Sequence, residues 1–195
     1  EEWGHCNKCM AVDDREEGEQ LTDYVTDRDV HLWNEVVSEA RQYKKDIMVT
    51  GYAYENMLKP PRREKLDDGI LIEFIPRMGG DFEVTGKLYE GWRNAGMKMM
   101  MYRPNDMNWE IGIQFGQEER LFMNFKLAIE NNAIGTDFDS MLGYWDGISD
   151  MAYYILSKGH VDPDASFESL EKEFLSCFGE AQDDIAKYYR HWRSI

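Results

Sequence analysis

Four short, mostly apolar runs punctuate the chain: Ile47–Tyr54 (IMVTGYAY), Ile70–Ile75 (ILIEFI), Met97–Tyr102 (MKMMMY) and Ala133–Phe138 (AIGTDF). Continuous rather than alternating apolar character suits strands covered on both faces, as in a parallel sheet. Their starts lie 23, 27 and 36 residues apart, room enough for the crossovers that parallel pairing requires. Helical periodicity fills most of the gaps. Val30, Trp33, Val36, Val37, Ala40 and Tyr43 make one stripe; Leu88, Trp92 and Ala95, stopped by Gly96, make a second; Leu121, Phe122, Phe125, Ala128 and Ile129 make a third. The crossover Glu55–Gly69 is the exception, because Pro60 and Pro61 break any helix there and predict an irregular loop.

Three more helical stretches follow the fourth strand. The first covers roughly Asp150–Lys158, stopped by Gly159. The second is N-capped by Ser166, carries Phe167, Leu170, Phe174, Leu175 and Phe178 on one face, and is C-capped by Gly179. The third carries Ala181, Ile185, Tyr188, Tyr189 and Trp192. The pattern predicts an α/β fold with two architectures open: a complete small sheet, or half of a closed barrel of eight strand–helix units, which needs about 250 residues. The favoured expectation is the C-terminal half of a (β/α)8 TIM barrel, four parallel strands with helices, spanning residues 1–161. A C-terminal helical hairpin, residues 162–195, packs on it. The abrupt start at Glu1, with no signal-like segment, fits a piece of something longer whose N-terminal barrel half lies upstream.

Composition narrows the function classes. Of 195 residues, 38 are acidic and 22 basic, a net charge of −16 that repels phosphate backbones and argues against nucleic acid as a partner. At 43% apolar residues the chain can bury a core, yet no window approaches the 18 consecutive apolar residues of a membrane span. Three cysteines, Cys6, Cys9 and Cys177, do not make a disulfide scaffold.

In parallel α/β architectures the chemistry sits at the carboxyl ends of the strands. There the first strand offers Tyr52, Tyr54 and Glu55. The second holds Glu73 inside its apolar run and ends near Arg77. The third ends in Tyr102, Arg103, Asp106 and Trp109, and the fourth in Asp137 and Asp139, with Trp145 shortly after. Carboxylates beside flat aromatic rings suit a carbohydrate, whose hydroxyls need acceptors and donors and whose apolar ring faces need a flat partner. Cleavage of a glycosidic bond needs two carboxyl groups, one to protonate the leaving oxygen and one to act as nucleophile or activate water. Glu55, Asp106 and Asp137 are the catalytic candidates. Tyr52, Tyr54, Glu73, Arg77, Tyr102, Arg103, Trp109, Asp139 and Trp145 are the substrate-binding candidates. The competing reading of any of these acids is a helix cap or a solvated surface group. Glu73 stands apart, since a charge within ILIEFI must be paired or line a cavity, with Arg77 or Arg103 as counter-ion.

The Met97–Met101 run reads as polarisable core filler rather than metal ligation, and Tyr188, Tyr189 and Trp192 read as core. For His5-Cys6-Asn7-Lys8-Cys9 a structural turn or disulfide, a structural metal site and a redox pair stay open; two soft ligands fall short of a zinc site. No metal and no cofactor are expected.

Several motifs line up with a known family. The C-x-x-C segment, Leu32-Trp33-Asn34-Glu35-Val36-Val37, Gly51-Tyr52-Ala53-Tyr54, Pro60-Pro61, Asn132-Ala133-Ile134-Gly135, Asp162-Pro163, Phe174 to Phe178-Gly179 and Tyr188-Tyr189 together resemble a bacterial family, the domain of unknown function 4838. The resemblance implies a glycoside-hydrolase-like (β/α)8 barrel akin to that of α-glucuronidases. It also implies a secreted, periplasmic or cell-surface protein acting on oligo- or polysaccharide. Typical members carry C-x-C-x-x-C, whereas here Gly4 replaces the first cysteine. No catalytic residues carry over. Two further functions stay in play: a glycan-binding barrel without catalysis, and a complete intracellular α/β protein with a C-x-x-C metal site.

Overall fold

A computed structural model describes residues 6–8, 13, 16–77, 80–105, 116–138 and 150–195. The chain divides into two compact units, Glu1–Arg103 with Asn131–Asp137, and Pro104–Glu130 with Phe138–Ile195.

In the first unit helix α1 (Leu21–Ala40) precedes strand β1 (Val49–Ala53); β2 (Ile70–Phe74), helix α2 (Phe82–Asn94), β3 (Met99–Tyr102) and β4 (Ala133–Thr136) follow. All four predicted strands form. They make one parallel sheet in the order β1-β2-β3-β4, each strand beside its sequence neighbour. One face carries Gly51, Ala53, Ile70, Ile72, Phe74, Met100 and Tyr102, all buried. Helix α1 lays Trp33 flat on Gly51, so close that a Cβ there would sit 2.6 Å from the indole. Helix α2 adds Tyr89, whose ring centroid lies 4.3 Å from that of Phe74, and the buried Trp92. The other face carries Tyr52, Leu71, Glu73, Met99 and Met101, none of them fully buried.

The crossover Glu55–Gly69 is irregular, as its two prolines predict, apart from a 3-10 turn at Glu55–Met57. Side chains of α1 and of its C-terminal cap Arg41 hold it. Thr26 Oγ1 donates to the Lys59 carbonyl at 2.9 Å. Buried Asp27 accepts from the backbone N–H groups of Arg62, Arg63 and Glu64 at 3.1, 2.7 and 2.8 Å. Asn34 accepts from Asp67 N–H, and Arg41 grips the Asp67 carboxylate with both terminal guanidinium nitrogens. The loop thus satisfies its backbone donors with side chains instead of a helix. Helix α1 ends before Tyr43, which is exposed rather than part of the expected stripe.

In the second unit α3 (Glu118–Glu130), α4 (Asp150–Val161), α5 (Phe167–Ser176) and α6 (Gln182–Arg193) bury Leu121, Phe122, Phe125, Met151, Ile155, Leu170, Phe174 and Tyr189. Ser166 caps α5 as expected, accepting from Ser169 N–H at 3.2 Å. Gly159 does not stop α4. It lies inside that helix because Phe122 and Phe125 approach within 2.9 Å of where its Cβ would be, and only glycine admits them. Gly179 is not the C-cap of α5 either; Cys177 is, and Gly179 opens a separate 3-10 turn at φ +55°. Tyr188 is exposed, so of the aromatic triplet on α6 only Tyr189 is core.

Candidate functional site

Glu73 is the one acid inside a strand of the sheet, and the register dictates its neighbours. It pairs with Tyr52 on β1 and with Met101 on β3, all on the face away from α1 and α2. The ladder runs one residue past the strand ends, with Arg103 N–H donating to the Phe74 carbonyl and Asp137 N–H to the Tyr102 carbonyl, each at 2.9 Å. Two residues beyond Met101, Arg103 faces the same way.

Asp137 reaches this face through an irregularity. Met100 pairs with Ala133 but Met101 pairs with Gly135, leaving Ile134 as the extra residue of a bulge. Without it Thr136 would stand beside Arg103 and Asp137 would turn to the opposite face. Bulges commonly re-aim a side chain next to a site, and this one delivers a carboxylate.

The result is a four-residue cluster. Arg103 Nη1 donates to Asp137 Oδ2 and lies 3.5 Å from Glu73 Oε2, so one nitrogen serves both carboxylates. The Arg103 guanidinium carbon sits 5.5 Å from the Tyr52 ring centroid, a cation–π placement. Burial, then the Asp137 charge, push the Glu73 carboxyl up; the Arg103 charge opposes them, and hydrogen bonds from Asp137 and Tyr52 pull in opposite directions. Tyr52 is likewise pushed up by burial and by the Glu73 charge. Glu73 is about 14% exposed and Asp137 about 41%, so Glu73 is the more enclosed carboxyl of the two.

The remaining sequence candidates fall elsewhere. Glu55 and Arg77 line a separate cleft beyond the ends of β1 and β2. Glu55 follows an edge strand and Asp137 the opposite edge, three strand spacings or about 14 Å across the sheet, too far for one carboxyl pair. Glu73, assigned from sequence to substrate binding, is instead the acid beside Asp137. Tyr102 is fully buried on the helix-covered face, and Tyr54 is half-buried just past β1. Asp106, Trp109, Asp139 and Trp145 lie outside the described residues, as does Cys9 of the C-x-x-C pair. The bulge is what sequence reasoning missed. Gly135, against which Met101 packs its sulfur 3.2 Å from the Cβ position, was its faint sign.

Among the described residues no three His, Cys, Asp or Glu side chains converge as metal ligands, and no helix is long and apolar enough to cross a membrane. A family model described as "Domain of unknown function (DUF4838)" matches residues 1–190. Searches of curated proteins and of solved structures returned no match.

Proposed function

For a chain that belongs to the family of domain of unknown function 4838, we propose hydrolysis of a glycosidic bond by the Glu73–Asp137 carboxyl pair. One observation carries the reading: two carboxylates from different strands meet on a single Arg103 nitrogen, on the sheet face that α1 and α2 leave uncovered. Glu73, raised by burial and by its like-charged neighbour, is the acid that protonates the leaving oxygen. Asp137, hydrogen-bonded to a guanidinium, is the carboxylate that attacks the anomeric carbon; water then releases the sugar with Glu73 as base. The two carboxyls stand within hydrogen-bond reach of each other, nearer the about 5–5.5 Å of retaining enzymes than the about 6.5–9.5 Å that leaves room for a water, and a bound sugar has to part them to reach the retaining spacing.

The half-barrel architecture belongs to the same proposal. Four parallel strands in unbroken sequence order, with helices on one face and polar groups at the carboxyl ends of the other, follow the winding of a (β/α)8 barrel. An upstream half of the protein completes it, and an oligo- or polysaccharide outside the cell is its substrate. A non-catalytic glycan-binding barrel is the second reading, favoured by Arg103 already standing against both carboxylates.

The test is an assay of the full-length protein against a panel of plant and host glycans. Glu73→Gln and Asp137→Asn, made singly, each lower kcat at least about 100-fold if the pair is catalytic. The released sugar retains its anomeric configuration by NMR. Binding without turnover supports the second reading, and turnover unchanged in both variants refutes the first.

A further inference from the structure

Beyond the carboxyl pair, the first unit holds a cleft of about 380 Å³ just past the ends of β1 and β2. Its polar lining includes Glu55, Asn56 and Arg77, and its apolar lining Leu58, Val84 and Leu88. The volume lies at the low end for small-molecule sites, about 300–1,000 Å³, the size for one ring rather than a chain.

Two features separate it from a passive surface dent. Glu55 adopts the left-handed region at φ +50°, which disfavours any residue with a Cβ. The 3-10 turn that Glu55 opens fixes it there, with Met57 N–H donating to the Tyr54 carbonyl at 2.9 Å. Moreover, the Glu55 carboxylate and the Arg77 guanidinium, both on exposed residues, line the same recess without being bridged, so among the described residues neither is engaged and both are open to a ligand. Lys59, which also lines the cleft, is by contrast held by Asp23 at 2.6 Å. An acceptor of two hydroxyls, a forked donor and an amide over an aliphatic floor match a pyranose, whose ring carries hydroxyls at its edge and C–H groups on its faces.

We propose that this cleft is a second sugar subsite, binding a pyranose unit of the same glycan whose bond the carboxyl pair cuts. Both sites lie at the carboxyl end of the same two strands, Glu55 three residues beyond Tyr52 of β1 and Arg77 four beyond Glu73 of β2, with the cleft walled on its helix side by Thr22 of α1 and Val84 and Leu88 of α2, so a glycan that fills both passes over the strand ends. The inference rests on the glycosidase reading for the identity of the ligand, and it makes the substrate an oligosaccharide with at least two bound rings.

The experiment is a calorimetric titration of the full-length protein with methyl glycosides of glucose, galactose, mannose and xylose at millimolar concentration, with leucine as a zwitterionic probe. At least one glycoside binds saturably, and Glu55→Gln and Arg77→Gln each weaken it about tenfold while the melting curve stays cooperative. Undiminished binding in both variants, leucine bound in preference to every glycoside, or no glycoside bound at all overturns the subsite. Glycan hydrolysis lost in Glu73→Gln while the cleft variants bind normally sinks the subsite alone. Glycoside binding lost in the cleft variants, in a protein that hydrolyses nothing, sinks the glycosidase reading alone.

Discussion

Asp29 gives the sharpest stability prediction. It lies on α1, about 6% exposed, and its Oδ2 has no hydrogen-bond partner among the described residues, two residues from an Asp27 that accepts three backbone N–H groups. Burial pushes its carboxyl from 3.8 up to about 7, against a smaller opposing pull from Arg28. A shift of that size is worth about 4 kcal/mol as a ceiling. Partial access of water lowers the expectation to about 2 kcal/mol. The sign follows from proton counting. Between about pH 4 and 7 the folded chain holds a proton the unfolded chain has lost, so this group's contribution is intact below the unfolded value and fades as pH rises through the folded one. Asp29→Asn removes the charge. Urea unfolding followed by circular dichroism should therefore find the variant about 2 kcal/mol more stable than the parent near pH 8, and within about 0.5 kcal/mol of it near pH 4. A stability difference that does not change with pH, or destabilisation near pH 8, refutes the reasoning.

Two further substitutions probe how the sheet is held. Asp27→Ala strips three part-buried N–H groups of their acceptor and should cost about 2 kcal/mol in the same denaturation assay, with faster proteolysis inside Pro60–Lys65. Gly51→Ala drives a methyl into Trp33 and should cost about 1–3 kcal/mol, partly recovered when Trp33→Leu is added; an additive double variant would contradict the contact.

The strands were legible because each is a compact apolar run, and so was the irregular crossover, because proline removes donors that a helix needs. Helix ends were less so. Gly159 reads as a stop on local propensity, but in the fold it marks where two phenylalanines press on α4, a contact no local pattern encodes. The site divides along the same line. That Glu73 within ILIEFI must be paired follows from the cost of a bare charge in an apolar run, and Arg103 is one of the two partners that argument allows. Which acid joins them depends on strand register. A single bulged residue, Ile134, turns Asp137 toward Arg103. Strand order, meanwhile, sends Glu55 to the opposite edge of the sheet.

The central claim is that Glu73 and Asp137 share one electrostatic environment, and the carboxyl titration of Glu73 by carbon-13 NMR tests it most directly. The account predicts a Glu73 carboxyl that titrates above the ordinary glutamate range and moves down toward it in Asp137→Asn, which removes the like charge and leaves Arg103 to Glu73 alone. A Glu73 that titrates as a solvated glutamate, unmoved by Asp137→Asn, would contradict it.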